Sequence, residues 1–124
     1  MLMPFWNIEI LRDTDTDREM FDIISRYNAY TSVMWEEEYR QRSRKIAADL
    51  EESGFFSRPQ VIRIERELCF TADEYFGHAL TGNMFVKNSE GTKMACHEEL
   101  KKLEVKRGTI KRNFITELYV AQKL

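Results

Sequence analysis

Residues 110–121 read Ile-Lys-Arg-Asn-Phe-Ile-Thr-Glu-Leu-Tyr-Val-Ala, and this stretch decides the predicted fold. Phe114 and Ile115 are adjacent apolar residues, and the run Leu118-Tyr119-Val120 follows them after two polar positions. Side chains of a strand alternate between the two faces of a sheet, so adjacent apolar residues make both faces apolar. Such a strand belongs in the middle of a sheet rather than at its edge. The sequence therefore predicts a central strand at the end of the chain.

Two further strands are predicted upstream of it. Residues 61–70 place apolar and charged side chains in alternation, which is typical of a half-buried strand. The apolar positions are Ile62, Ile64, Leu68 and Phe70. Cys69 in this run is interpreted as a small buried residue. Residues Leu2 to Trp6 predict the end of a buried strand, and residues 11–17 predict a polar loop.

Helical patterns separate these strands. A first helix is expected from about Arg18, with Thr16 or Asp17 as its N-terminal cap. A break or kink is expected in residues 28–35, where β-branched and aromatic side chains crowd together. A second helix follows from about Glu36 and ends at Ser53-Gly54, because glycine favours the left-handed conformation after a helix.

Two more helices are predicted in the second half of the chain. Thr71-Ala72-Asp73-Glu74 has the spacing of a capping box, in which the Thr71 hydroxyl and the Glu74 carboxylate each bind a backbone amide of the other residue. This helix is expected to end near Leu80. Residues 83–91 are expected to be mostly loop, and a long helix from Thr92 to Lys106 is ended by Gly108.

Composition places the chain among globular proteins. Its 124 residues suit one domain spanning 1–124, with 43% hydrophobic and 32% charged residues. The apolar opening at residues 1–6 is too short for a signal peptide, so a cytoplasmic location is expected by default. The net charge of −2 argues against a nucleic-acid partner. A basic group near the end is interpreted as a solvated helix end and strand edge; it comprises Lys106, Arg107, Lys111 and Arg112.

The order of these segments resembles the C-terminal portion of the class I S-adenosylmethionine-dependent methyltransferases, in particular the bacterial small-molecule type. The resemblance covers essentially the whole chain. It rests on Phe5-Trp6-Asn7, on the Ser53-Gly54-Phe55-Phe56 turn, on Thr71 to Tyr75, and on the final run Leu118-Tyr119-Val120-Ala121. Each motif is weak alone, and their order and spacing carry the similarity.

The resemblance implies an α+β fold that is part of the methyltransferase fold. Its sheet is expected to contain about three strands, in the order 5-7-6 of the parent fold, packed with three to four helices. Residues 115–121 are then expected to pair with both Leu2–Trp6 and Val61–Phe70. Without the first and fourth strands of the parent, the edge at Leu2–Trp6 is expected to be open, which favours a homodimer.

The cofactor half of that family has no counterpart in this chain. Its five glycines are Gly54, Gly77, Gly82, Gly91 and Gly108, and no two have the Gly-x-Gly spacing of a nucleotide-binding turn. We therefore expect the chain to be the C-terminal half of a methyltransferase-like domain, inactive alone and unable to bind S-adenosylmethionine. It is interpreted as an incomplete chain, a product of a wrong start position, or a remnant that has lost the cofactor-binding half.

The same resemblance implies which residues contact a small-molecule acceptor. They are Trp6, Asn7, Tyr30, Tyr75 and His78. Trp6 and Asn7 rank first, because ligands of open α/β sheets bind beyond the carboxyl ends of the strands. Ordinary core packing is the competing interpretation for each aromatic residue.

Other kinds of site and function are less favoured. Cys96 and His97 are adjacent and diverge by about 100° on a helix, so no metal site and no nucleophilic pair is predicted from them. Two alternatives remain for the chain as a whole. One is a small α+β interaction or dimerisation module without catalysis, and the other is a ligand-binding α+β domain of unrelated ancestry.

Overall fold

The computed structural model describes residues 4–27, 33–81 and 89–124. In this part of the chain the elements follow one another as β1 (Phe5–Leu11), α1 (Asp15–Arg26), β2 (Met34–Trp35), α2 (Glu36–Glu52), β3 (Gln60–Phe70), α3 (Ala72–Thr81), α4 (Glu90–Arg107) and β4 (Ile110–Val120). The four strands form a sheet in the order β2-β1-β4-β3. The predicted α+β class is therefore confirmed.

The central position predicted for the last strand is also confirmed. β4 lies between β1 and β3 and runs antiparallel to β1, with Ile8 opposite Ile115. Its buried residues fall on both faces, as the adjacent pair Phe114 and Ile115 predicts. A strand with two apolar faces gains most by being covered on both sides, which only an interior position allows.

The sheet differs from the prediction in strand number and in the length of β1. It contains a fourth strand, β2, at Met34–Trp35, where the sequence predicted only a break or kink. β1 continues to Leu11 instead of ending at Trp6. The reason lies in the alternation of Ile8 and Ile10 with polar neighbours, which suits a strand and buries both isoleucines.

The helix ends follow the predicted chemistry with one exception. At α3, the Glu74 amide donates to the Thr71 hydroxyl over 3.1 Å, and the Thr71 amide donates to the Glu74 carboxylate over 2.9 Å. The predicted capping box is thus confirmed. At α1, the cap is Thr14, whose hydroxyl accepts from the Asp17 amide over 3.2 Å, and not Thr16 or Asp17. The carboxylate of Asp17 is engaged elsewhere, since it accepts from the Arg12 amide.

Glycines end two helices, as predicted. Gly54 follows α2 with φ of 77°, and Gly108 follows α4 with φ of 84°. Side chains other than hydrogen disfavour this left-handed region, so glycine is the suitable residue at both positions. α4 begins at Glu90 with Ser89 as its cap, two residues before the predicted start. Most of the loop expected in residues 83–91 lies outside the described residues.

β3 is much more exposed than a half-buried strand would be. Ile62, Ile64 and Leu68 are 41%, 58% and 39% exposed. Cys69 is exposed as well, so its interpretation as a buried residue was wrong. The strand lies at the end of the sheet order, where one side has no neighbouring strand among the described residues. Its period of two predicted the strand but not the burial.

The chain divides into two compact units, each built from separate segments. The first unit contains residues 4–10, 33–66 and 113–124. Its core consists of Ile8, Ile10, Tyr39 and Ile115, with Trp6 and Met34 packed against them. The single domain expected for residues 1–124 stays a prediction.

The second unit contains residues 11–27, 67–81 and 89–112. Here α4 packs against both α1 and α3. The buried side chains of the three helices include Met20, Ile23 and Ile24 from α1, Tyr75 and Ala79 from α3, and Leu100 and Leu103 from α4. None of the helices in the described ranges combines the length and the apolar character needed to cross a membrane.

Candidate functional site

The most polar buried group of the first unit centres on Glu117 in β4. Its side chain has no exposed surface. One carboxylate oxygen, Oε2, accepts hydrogen bonds from Ser43 Oγ and Arg63 Nε, each over 3.1 Å, and from the Tyr39 hydroxyl. The other oxygen, Oε1, accepts from the Tyr119 hydroxyl. These five residues are called the Glu117 network below.

Simple spacing in three elements brings the network together. Tyr39 and Ser43 are four residues apart on α2 and therefore share one face of the helix. Glu117 and Tyr119 are two residues apart on β4 and share one face of the sheet. Arg63 reaches the same face from β3, and its Nη2 donates to Ser43 Oγ over 2.7 Å. A buried carboxylate is costly unless it is paired and hydrogen-bonded, and this arrangement meets that requirement.

The electrostatics of the network fix its protonation. Burial alone raises the pKa of Glu117, but the hydrogen bonds that it accepts outweigh burial and hold the pKa below its usual value. Burial, followed by the hydrogen bond to Glu117, raises the pKa of Tyr39 to about 12, and Tyr119 behaves in the same way. The carboxylate is charged and both phenols are neutral at pH 7. In these protonation states the charged carboxylate accepts from both neutral phenols, so the network links α2, β3 and β4 through hydrogen bonds.

Trp6 lies beside this network on the α2 side of the sheet. Its ring meets the Tyr119 ring edge to face, with centroids 5.6 Å apart. The guanidinium carbon of Arg42 lies 5.1 Å from the centroid of the Trp6 ring. Trp6 is partly buried, and it adjoins both an aromatic ring and a cation.

Asn7 does not share this environment. Successive strand residues point to opposite faces, and the Asn7 side chain accepts from the Thr116 hydroxyl over 2.6 Å at an exposed position. Both Trp6 and Asn7 lie near the start of β1, because the strand continues to Leu11. Their predicted location beyond the carboxyl end of the strand was therefore wrong.

Tyr75 and His78 come together in the second unit. Their ring centroids lie 6.0 Å apart, and Phe70 contacts both at 5.6 Å and 5.9 Å. Tyr75 is only 1% exposed and belongs to the core, whereas His78 is exposed. Core packing thus accounts for Tyr75, and His78 is the accessible member of the pair. Tyr30, the fifth predicted acceptor residue, lies outside the described residues.

His97 and Cys96 have separate surroundings, as their adjacency predicts. The His97 ring stacks on Phe76 with centroids 4.2 Å apart, and its Nε2 lies 2.8 Å from an Asp73 carboxylate oxygen. Cys96 is buried, and burial raises the pKa of its thiol to about 11. A protonated buried thiol is a poor nucleophile. Across the described ranges, no three histidine, cysteine or acidic side chains are grouped as metal ligands.

The basic group near the C-terminus is largely neutralised. Lys106 and Arg107 both pair with Glu19 of α1. Arg112 is fully buried and pairs with Asp17, its Nη1 lying 2.6 Å from the carboxylate oxygen. The interpretation of Arg112 as a solvated residue was wrong, because β4 is an interior strand. Three of the four predicted basic residues therefore have carboxylate partners.

Sequence reasoning missed the Glu117 network and Arg42. The available signal was Glu117 itself, a charged residue between the apolar runs Phe114-Ile115 and Leu118-Tyr119-Val120 of a strand that was predicted to be central. A buried carboxylate implies donors nearby, and Arg63 on the neighbouring strand was the obvious cation. No local pattern pointed to Tyr39 or Ser43, because their partners lie more than 70 positions along the chain.

The chain was compared with protein families, curated proteins and solved structures. No family model, no curated protein and no solved structure matches the chain.

Proposed function

We propose that this chain is the acceptor-side portion of a class I S-adenosylmethionine-dependent methyltransferase domain, which transfers a methyl group to a small molecule. In this proposal a glycine-rich segment outside the 124 residues binds the cofactor. In this proposal β1, β4 and β3 of the chain correspond to strands of the parent sheet, and the chain forms part of the surface that holds the acceptor.

The strand order is the observation that carries the proposal. β4 lies between β1 and β3 and is antiparallel to β1. In the family that the sequence resembles, the seventh strand is inserted antiparallel between the fifth and the sixth. If β1, β4 and β3 correspond to those strands, the order is the one expected from the sequence motifs. Agreement between motif order and strand order supports the assignment more strongly than either one alone.

The chain's own glycines do not fit a cofactor loop. Gly54 and Gly108 are used at the ends of α2 and α4, where their positive φ angles are needed. A dinucleotide-type loop instead needs closely spaced glycines between a strand and a helix. In this proposal the 124 residues themselves do not hold S-adenosylmethionine, and the cofactor binds to the segment outside them.

The acceptor contacts that the proposal retains lie in two places. In the first unit they are Trp6 and the cation above it, Arg42. In the second unit the accessible residue is His78, which contacts Tyr75. Asn7 is an exposed residue on the opposite face of β1 from Trp6, so it does not contact an acceptor that binds beside Trp6.

A second candidate is an interaction or dimerisation module without catalysis. The exposure of Ile62 and Ile64 on β3 favours it, since contiguous exposed apolar surface marks interaction sites. The edge of β1 that was expected to be open lies next to β2 in the sheet order. Pairing at that edge therefore has less support than contact through the apolar residues of β3.

The methyltransferase and the interaction module can be distinguished by the DNA sequence around the coding region of this chain and by a methyl-transfer assay. We expect a glycine-rich cofactor sequence in the reading frame that continues upstream of Met1 or in an adjoining frame. The joined product should transfer labelled methyl groups from S-adenosylmethionine to a small-molecule fraction. A locus without that sequence would favour the interaction module.

A further inference from the structure

Arg42 has an unusual environment for an arginine on the surface helix α2. Its guanidinium lies over the Trp6 ring, with the guanidinium carbon 5.1 Å from the ring centroid. The side chain is partly buried rather than extended into solvent. Trp6 is itself held in place by the Tyr119 ring and by the core of the first unit. The cation is therefore supported by a fixed aromatic surface.

The charge of Arg42 is not balanced within the described part of the chain. Its spacing from Glu38 predicts an i,i+4 ion pair, but no carboxylate of the described residues lies within ion-pair distance of Arg42. Its neighbour on the same helix, Arg40, does pair with Glu36 over 3.0 Å. Arg63, on the same side of the sheet, pairs with Glu117. The contrast singles out Arg42.

The contact with Trp6 leaves N–H donors of Arg42 available. A cation–π contact is an attraction between the charge and the ring face, and the guanidinium of Arg42 donates no hydrogen bond to a described residue. Those groups form a planar fork that matches the two oxygens of a carboxylate. An arginine held by an aromatic ring loses less conformational freedom on binding than a mobile one. Arg42 and Trp6 thus have the chemistry of a pre-oriented oxyanion site.

We propose that Arg42, supported by Trp6, binds a carboxylate group of the ligand that this chain recognises. If the chain is the acceptor side of a methyltransferase, as proposed above, the acceptor is a small carboxylic acid and Arg42 anchors its carboxylate. The anion site itself does not depend on that function, because it consists of residues of this chain alone.

The test is a titration of the 124-residue chain with benzoate in the absence of S-adenosylmethionine. Trp35→Phe leaves Trp6 as the only tryptophan, so the fluorescence of Trp6 reports binding beside Arg42. We expect saturable quenching by benzoate and an affinity that falls about 10-fold in Arg42→Gln. Arg42→Lys keeps the charge but not the fork, and it should bind several-fold more weakly than arginine.

The matched control is Arg40→Gln, which removes one positive charge two residues away on the same helix. Its benzoate affinity should equal that of the parent chain, and circular dichroism should show that every variant is folded. Equal losses in Arg40→Gln and Arg42→Gln, or quenching that never saturates, would overturn the site. Tighter binding of inorganic phosphate than of benzoate would overturn the carboxylate assignment.

The outcomes also separate this site from the proposed function. Benzoate binding that requires Arg42, together with an encoding locus that has no cofactor sequence, would keep the anion site and remove the methyltransferase. Methyl transfer that is unaffected by Arg42→Gln would keep the enzyme and remove this carboxylate anchor.

Discussion

Glu117 lies in the centre of the sheet, and its charge is compensated by four donors. Glu117→Gln keeps the size of the side chain but replaces one acceptor oxygen with a donor that faces the tyrosine hydroxyls. We expect the free energy of unfolding to fall by about 2–4 kcal/mol, as measured by urea denaturation. Glu67→Gln at an exposed position on β3 is the control and should change it by less than about 0.5 kcal/mol. Equal effects would mean that the network does not stabilise the fold.

The two tyrosines of the network make stability depend on alkaline pH. The pKa of Tyr39 and that of Tyr119 are each raised from 10.0 to about 12, because burial and the charge of Glu117 favour the neutral phenol. A raised pKa in the folded state contributes stability that is complete below pH 10 and is lost as the pH rises towards 12. Urea denaturation at a series of alkaline pH values should show this loss, with tyrosinate absorbance appearing as the protein unfolds. Ionisation of all five tyrosines near pH 10 in the folded protein would contradict it.

At acidic pH the stability of the network depends mainly on Glu117, and here stability falls as the pH decreases. The pKa of Glu117 is lowered, so its contribution to stability is present above the usual glutamate pKa and disappears as the pH falls through the lowered value. The network therefore favours the folded state across the neutral range.

For single residues, the sequence predicted which side chains have suitable chemistry better than it predicted which side chains contact each other. Trp6 and the pair Tyr75–His78 were singled out for their chemistry, and the structure places the pair in contact. Trp6 and Asn7 were expected together, but strand alternation separates them. Arg42 was missed because its partner is an aromatic ring in another element, and an i,i+4 pattern favoured a local carboxylate instead.

Among the elements, α3 offers the clearest test of local sequence signals. Its capping box has both hydrogen bonds in place, between Thr71 and Glu74. Thr71→Ala removes the hydroxyl that accepts from the Glu74 amide. This change should lower the free energy of unfolding by about 1 kcal/mol. Thr71→Ser keeps the hydroxyl and should retain most of the stability. If chemical denaturation shows no difference between the two variants, the cap does not contribute to the folded state.

The elements show where pattern reading succeeds and where it fails. Strand β4, the capping box of α3 and the glycines after α2 and α4 were predicted, because each has a local physical cause. The strand β2 has only two residues, and such a short segment exists only because β1 lies beside it. The burial of β3 was overestimated for a related reason, since periodicity reports the faces of a strand and not its place in the sheet.

At the scale of the whole molecule, the formation of a homodimer can be tested directly. Phe5, Ile62 and Ile64 lie on the sheet face opposite to Trp6 and Arg63, because neighbouring strand residues alternate. They are 63%, 41% and 58% exposed, so part of this face is apolar and uncovered within the first unit. We expect the chain to form a homodimer at micromolar concentration in light scattering, and Ile64→Lys to shift it towards monomer. A monomeric parent chain under these conditions would contradict the dimer.

The proposed function depends on the origin of the cofactor site, and calorimetry with S-adenosylmethionine tests this most directly. The titration compares the 124-residue chain with the product of the reading frame extended to include the glycine-rich sequence that we expect upstream. We expect no saturable heat with the 124-residue chain and micromolar binding by the extended protein. Saturable binding by the 124 residues alone, or none by the extended protein, would contradict the assignment of this chain as the acceptor side of a methyltransferase.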